Sequence, residues 1–170
     1  MKIRRFLVAV GAVVLLVQNP AFAQEIRSTS ARIFDVGFDA GDLLPRWTET
    51  GLTTASVDYS VTGTVMATYA CVMGRRAAET LDPVGGPFEM SFTLPVSRKG
   101  VTGNTVDVEE PDPAVDSCRG MGEIVLYNVS YTNVKINDLT NDISELVGVG
   151  NFSMTFCNLS KNPQNCPPPS

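Results

Sequence analysis

Residues 55–71 form a long run in which apolar and polar side chains alternate. The apolar side chains occupy the odd-numbered positions Ala55, Val57, Tyr59, Val61, Val65, Ala67, Tyr69 and Cys71. Because successive side chains of a β-strand point to opposite faces, the run predicts a strand with one buried and one solvated face. A single strand of this length would extend about 56 Å, several times the usual length. We therefore expect two strand segments, or one sharply bent strand, that meet at Gly63.

Shorter runs of the same kind fill the rest of the chain. They cover residues 33–38, 47–50 as an edge strand, 88–94, 101–108, 124–136, 143–149 and 151–157. In 124–136 the alternation changes phase near Thr132-Asn133, which predicts a bulge. Residues 74–81 predict one or two helical turns that end before Pro83. Short strands separated by Gly, Pro and Asn predict an all-β fold, an antiparallel β-sandwich of the immunoglobulin-like or a related type.

The N-terminus has the three parts of a secretory signal peptide. Basic residues open the chain, residues 6–17 are apolar, and the small residues Ala21 and Ala23 occupy both cleavage-determining positions. The apolar segment is shorter than the roughly 20 residues that a transmembrane helix needs. We expect a signal peptide at 1–23, cleavage between Ala23 and Gln24, and a protein that is secreted or periplasmic.

The 147 residues after the signal peptide are enough for one domain with a hydrophobic core. We expect a single β-sandwich domain at 24–160 and a proline-rich C-terminal tail at 161–170 that is tied down by Cys166. Without the three basic residues of the leader, the chain has 10 basic and 18 acidic side chains, a net charge of −8. This charge argues against nucleic acid as a partner and against binding to anionic membranes, because both depend on clustered Lys and Arg.

Histidine is absent, which removes Ser-His-Asp and Cys-His catalysis and the commonest ligand of zinc, copper and non-haem iron. The four cysteines are Cys71, Cys118, Cys157 and Cys166. An even number of cysteines in an exported chain indicates disulfides, and four cysteines allow three pairings. We favour Cys71–Cys118 with Cys157–Cys166, because the second pair is close in sequence and lies beside the proline-rich tail. Structural zinc is the weaker alternative, since the sequence has no Cys-x-x-Cys pair.

The sequence contains Ala-Thr-Tyr-Ala-Cys at 67–71 and Ser-Tyr-Thr-Asn-Val at 130–134, with Cys118 between them. With these short motifs and Gly-Leu at 51–52, the chain resembles a family of small secreted bacterial proteins of β-sandwich type. The resemblance covers 51–157 and supports the Cys71–Cys118 bond, but it implies no function. The chain departs from the family after Cys71, where Met-Gly-Arg-Arg replaces an Asn-Gly-Gly-like turn, and the second cysteine pair is an addition.

An acidic, proline-containing loop precedes Cys118. Its weak candidates for calcium ligands are Asp107, Glu109, Glu110, Asp112 and Asp116. Carboxylate oxygens bind calcium in extracellular modules, but the spacing lacks the pattern of an EF-hand, and a solvated acidic loop is the simpler interpretation. The same carboxylates could serve a glycoside hydrolase only from opposite sides of a cleft, and one local cluster indicates no cleft.

The sequence carries no recognisable catalytic or cofactor motif. We therefore expect a non-enzymatic secreted β-sandwich that takes part in extracellular binding or assembly, with no catalytic residues and no cofactor. Its partner is expected to be an unknown extracellular molecule or a second copy of the chain, and the mature protein is expected to lack a membrane span. The alternative is a calcium-binding or hydrolytic secreted protein that uses the acidic loop 107–116.

Overall fold

The computed structural model describes residues 24–35, 40–103, 107–113, 118–120 and 122–169, and the predicted signal peptide lies outside these ranges. Within them the chain forms nine β-strands and one short 3-10 helix, Pro163–Asn165. The strands are β1 (Glu25–Ile33), β2 (Leu43–Thr50), β3 (Ser56–Met73), β4 (Arg76–Thr80), β5 (Val84–Pro95), β6 (Val101–Gly103), β7 (Glu123–Asp138), β8 (Ile143–Leu146) and β9 (Phe152–Thr155). Every pair of these strands is antiparallel, which confirms the predicted all-β fold.

The strands form two sheets. The smaller sheet has the order β1-β2-β6. In the larger sheet, β3 and β7 pair with each other at the centre. β4 and β5 follow one another along the outer edge of β3, while β8 and β9 pair with the outer edge of β7. Side chains of both sheets pack into one hydrophobic core, which gives a sandwich-like arrangement.

The predicted apolar face of β3 forms the centre of this core. Its odd-numbered side chains from Val57 to Tyr69 are buried, including both tyrosine rings. Trp47 of the smaller sheet packs edge-on against Tyr59, with ring centroids 5.3 Å apart. Phe92 of β5 lies 5.7 Å from the Trp47 ring. These aromatic contacts join the two sheets and add to the apolar area that they bury.

β3 is a single strand, so the expectation of two separate segments is wrong, but the irregularity at Gly63 is confirmed. The pairing of β3 with β7 shifts register between Thr62 and Thr64. β7 carries the extra residue there, and Asn133 has a left-handed φ of 54°, which confirms the predicted bulge. The pairing of β3 with β5 has no such shift from Ser56 to Ala67. The unbroken ladder on that side keeps β3 continuous through the bulge.

Residues predicted as helical turns form β4 instead. Gly74, with a φ of 59°, reverses the chain after β3, so that β4 folds back along the same edge. The amide of Leu81 then donates to the carbonyl of Tyr69 at 2.8 Å. Pairing with β3 therefore overrides the helix propensity of the Ala- and Glu-containing segment.

Two other expectations about strand position are corrected. The strand expected at an edge, 47–50, belongs to β2, which is the central strand of its sheet. The strand expected at 33–38 lies earlier, at Glu25–Ile33, and residues 36–39 lie outside the described ranges. The tail is also held just after Cys166, because the carbonyl of Pro167 accepts a 2.9 Å hydrogen bond from the amide of Leu126.

Gly103 is expected to be essential to the packing of the core. A Cβ at this position would lie 2.1 Å from the indole ring of Trp47, which is itself buried. We expect Gly103→Ala to lower the free energy of unfolding by about 3 kcal/mol, because the indole has no room to withdraw. Denaturant unfolding measures the effect. Gly86→Ala is the matched control, since a Cβ there meets nothing within 4 Å, and equal losses for the two variants would contradict the account.

Candidate functional site

Two pairs of buried carboxyl groups are the most unusual chemical feature of the fold. The first pair is Asp42 and Glu110, each only 5% exposed. Leu43 and Val108 exchange two backbone hydrogen bonds of 2.9 Å, which bring the acidic loop against the start of β2. The amide of Glu110 donates to Oδ1 of Asp42 at 3.3 Å. The two side chains therefore share one pocket of the core.

Asp42 holds its proton to unusually high pH. Burial raises the pKa of Asp42 from 3.8 to about 8, and the hydrogen bond and negative charge of the Glu110 carboxyl act in the same direction. Two carboxylates in one buried space repel each other, so the pair is most stable when one member is protonated. At neutral pH Asp42 is therefore mostly protonated.

Two buried tyrosines fix the backbone around this pair. The Tyr131 hydroxyl donates to the carbonyls of Gly41 and Val108, each at 2.9 Å. The Tyr69 hydroxyl donates to the carbonyl of Pro111 at 2.6 Å. Burial, with the nearby carboxyl charges, raises the pKa of both tyrosines, so they act as neutral donors.

The second pair is Glu49 and Asp138, which are 0% and 1% exposed. Gln24 joins them, because its Nε2 donates to Oε1 of Glu49 at 3.0 Å and to Oδ2 of Asp138 at 2.9 Å. The hydroxyl of Tyr59 donates to the other oxygen of Glu49 at 2.6 Å. The N-terminal residue of the described chain thus connects β2 with the end of β7.

Asp138 has more hydrogen-bond donors around it than Glu49. Its carboxylate also accepts hydrogen bonds from the amides of Thr140 and Asn141 and from the Asn141 side chain, at 2.7–2.9 Å. Burial raises the pKa of Glu49, the hydrogen bonds from Tyr59 and Gln24 oppose that shift, and Asp138 adds to it. Burial is the largest of these effects, so the pKa of Glu49 is raised overall.

General acid–base catalysis often uses a carboxyl group that lies beside a carboxylate. A catalytic group must be able to contact a substrate, and all four of these side chains are at most 5% exposed. In this arrangement the two pairs connect segments of the core that are distant in sequence. They also make the stability of the fold depend on pH.

Neither pair was among the sites expected from the sequence, apart from Glu110. The alternation of apolar and polar residues along the strands does contain a signal for the second pair. Glu49 lies two positions after Trp47 and points to the same buried face of its strand. Asp138 likewise points to the same buried face as Val134 and Ile136. A carboxyl group in the buried phase of a strand must find a partner, which predicts a pair without identifying its members.

The four candidate calcium ligands that the structure describes do not form one group. Asp107, Glu109 and Asp112 are exposed, whereas the Glu110 side chain is turned inward beside Asp42. Asp116 lies outside the described residues. Over the described ranges, no set of three or more acidic, Cys or His side chains could hold a metal ion. Calcium binding by the loop stays a prediction without geometric support here.

The four cysteines form the two predicted bonds. Cys71–Cys118 joins the end of β3 to the turn before β7, with a Cα–Cα distance of 5.5 Å. Cys157–Cys166 joins the segment after β9 to the tail, with a Cα–Cα distance of 5.0 Å. Beside them lies an open groove of about 920 Å³, whose walls include Met73, Ile124 and Pro168 and the polar side chains of Glu123 and Gln164.

Comparison with known proteins adds no relative. No protein-family model matches the sequence, and neither a curated protein nor a solved structure is significantly similar to it. The resemblance to small secreted bacterial β-proteins therefore stays a prediction. In the part of the chain that is described, no helix is long and apolar enough to cross a membrane.

Proposed function

We propose that the protein is an exported, non-enzymatic β-sandwich that assembles with a second copy of itself by pairing the free edges of β5. Export is supported by the leader pattern at 1–23 and by the two disulfides, which persist in oxidising compartments. A structural role is supported by the burial of both carboxyl pairs. The observation that carries the proposal is the arrangement of β5 itself.

One side of β5 is free to pair. In the described part of the chain, β5 is bonded only to β3. Two hydrogen bonds show which backbone groups of β3 point toward β5 and which point toward β7. Val96 N donates to Ala55 O at 2.9 Å, on the side of β5, and Leu139 N donates to Asp58 O at 2.8 Å, on the side of β7. Odd-numbered residues of β3 therefore face β5, and even-numbered residues face β7. Since odd residues of β3 pair with even residues of β5, the odd residues of β5 point their N–H and C=O groups outward.

Two prolines delimit this free edge. Pro87 and Pro95 are both in the outward phase, where the missing N–H costs the ladder with β3 nothing. Between them Glu89, Ser91 and Thr93 are exposed and carry outward N–H donors. Proline at an edge limits uncontrolled strand addition, so this edge admits only a short partner strand.

The free segment is symmetric, which favours a second copy as the partner. Ser91 lies midway between the two prolines. In an antiparallel pair centred on Ser91, Glu89 faces Thr93 of the partner subunit, and each proline faces a proline at the end of the ladder. No like charges lie directly opposite each other, and the two-fold axis closes the assembly as a dimer. Such a short contact predicts weak, reversible association.

Substitution of Ser91 tests the pairing. We expect the wild-type mature protein to dimerise reversibly in sedimentation equilibrium over a concentration series. Ser91→Pro removes one outward donor from each subunit and thus two hydrogen bonds of about 1 kcal/mol each, which weakens the dimer roughly 30-fold. Ser91→Lys keeps the donor but sets two like charges opposite each other, and it is also expected to weaken the dimer.

Ser91→Ala is the matched control, because alanine keeps the backbone N–H and adds no charge. It is expected to dimerise like the wild type, and the unfolding curves of all three variants verify that each is folded. A wild type that is strictly monomeric at every concentration contradicts the proposal, and so does a dimer that neither Ser91→Pro nor Ser91→Lys weakens.

A further inference from the structure

Gln24 has two roles that conflict chemically. The leader pattern makes it the first residue after cleavage, so its backbone nitrogen becomes a free amine. Its side-chain amide is also the only group shown to bridge Glu49 and Asp138 within the described residues. N-terminal glutamine is the residue that cyclises to pyroglutamate, and the nitrogen lost in that reaction is the one that forms the bridge.

We propose that Gln24 is a modification site controlled by the fold: the folded mature protein holds the Gln24 side chain away from its own amine, and pyroglutamate forms much faster on the unfolded chain. The inference rests on the proposed export, because it needs cleavage before Gln24. In the reaction the α-amino nitrogen attacks Cδ of the same residue, a new N–Cδ bond forms, and the Cδ–Nε2 bond breaks. Nε2 leaves as ammonia with the displaced proton, and no oxidant or reductant takes part.

The hydrogen bonds of Nε2 oppose this reaction in the folded protein. Both hydrogens of the amide are directed to carboxyl oxygens, at 2.9 and 3.0 Å. To cyclise, the side chain must turn back toward its own backbone nitrogen and release both acceptors. The N–H that pyroglutamate keeps belongs to the lactam ring at the backbone, so Glu49 and Asp138 lose the side-chain amide that they share while they stay buried. The same bridge is unavailable to an unfolded chain.

The nearby charged and polar groups leave no substitute donor. Glu49 already accepts from Tyr59 through its other oxygen. Asp138 accepts from Thr140 and Asn141, which belong to its own turn. The basic side chain closest in sequence, Arg27, is exposed and pairs with Glu25. Loss of Nε2 therefore removes the amide donor that the side chains of Glu49 and Asp138 share.

The test follows cyclisation by intact mass, as loss of the mass of one ammonia. The full chain is expressed with its leader in an exporting bacterial host, and the N-terminus of the mature protein is first determined by sequencing. The protein is then incubated at neutral pH, either folded or unfolded in guanidinium. We expect the folded protein to form pyroglutamate at least about tenfold more slowly than the unfolded chain, because two hydrogen bonds to carboxyl groups must break.

Two variants separate the bridge from a general effect of folding. Glu49→Gln replaces one acceptor by an amide and is expected to speed cyclisation of the folded protein several-fold. Glu25→Gln alters the neighbouring exposed side chain without touching the bridge, and it is expected to match the wild type. Equal rates for folded and unfolded protein, or faster cyclisation when folded, would overturn the inference. A mature N-terminus other than Gln24 would instead contradict the proposed processing, and a chain released at Gln24 by an inserted protease site then tests cyclisation separately.

Discussion

Replacement of both cysteines of the long disulfide, Cys71→Ala with Cys118→Ala, is expected to lower the free energy of unfolding by about 4 kcal/mol. The bond closes a loop between residues separated by 47 positions, and opening that loop gives the unfolded chain much of its conformational freedom back. Both cysteines are also largely buried, beside the start of β7. Denaturant unfolding of the purified, oxidised proteins measures the difference.

The short disulfide provides the matched control. Cys157 and Cys166 are separated by only 9 positions, so Cys157→Ala with Cys166→Ala is expected to cost about 2.6 kcal/mol. The second variant also releases the tail from β7. Its local structural change is therefore expected on the tail side of the groove. If the short bond proves the more important of the two, loop closure is not what the disulfides contribute to this fold.

The second large effect is a loss of stability with rising pH. The pKa of Asp42 is 3.8 in an ordinary environment and about 8 in the fold, so between these values the folded state binds a proton that the unfolded state has released. The contribution of Asp42 is complete below about pH 4 and is lost as the pH rises through about 8. We expect the free energy of unfolding to fall by roughly 5 kcal/mol over that interval, at about 1.4 kcal/mol per pH unit. Glu49, whose pKa is also raised by burial, acts in the same direction.

Asp42→Asn isolates this effect. The amide resembles a protonated Asp42, because it keeps an oxygen for the amide of Glu110 and gains hydrogens that can be donated to the Glu110 carboxylate. We expect the variant to be more stable than the wild type above about pH 8 and to lose much of the pH dependence. Unfolding curves from pH 4 to 9 measure both, and Glu145→Gln on exposed β8 is the control. A wild type whose stability rises over this interval would contradict the assignment.

Local patterns predicted the strands well because alternation is a property of consecutive residues. The odd-numbered face of β3 is buried as expected, and the phase change in β7 marks a real bulge at Asn133. β4 was predicted wrongly, since its strand form depends on pairing with β3, and a short Ala- and Glu-containing segment does not reveal that pairing. The same holds for β2, whose central position is set by its neighbours on both sides.

Local sequence patterns could not predict the carboxyl pairs for the same reason. Asp42 and Glu110 are 68 positions apart, and Gln24 and Asp138 are 114 positions apart. The inward phase of Glu49 indicates that it must have a partner, but only the packing of the two sheets selects Asp138 and Gln24. The acidic residues of the loop form a cluster in sequence, whereas the fold turns Glu110 into the core and leaves Asp107 exposed.

The most direct test of pairing through β5 is amide hydrogen exchange measured by NMR at increasing protein concentration. The amides of Glu89, Ser91 and Thr93 point outward, so we expect their protection to rise with concentration. The amides of Met90 and Phe92 face β3 and are expected to be protected at every concentration. If the three outward amides exchange without protection at all concentrations, or if the new protection appears at another edge such as β8, assembly through β5 is wrong.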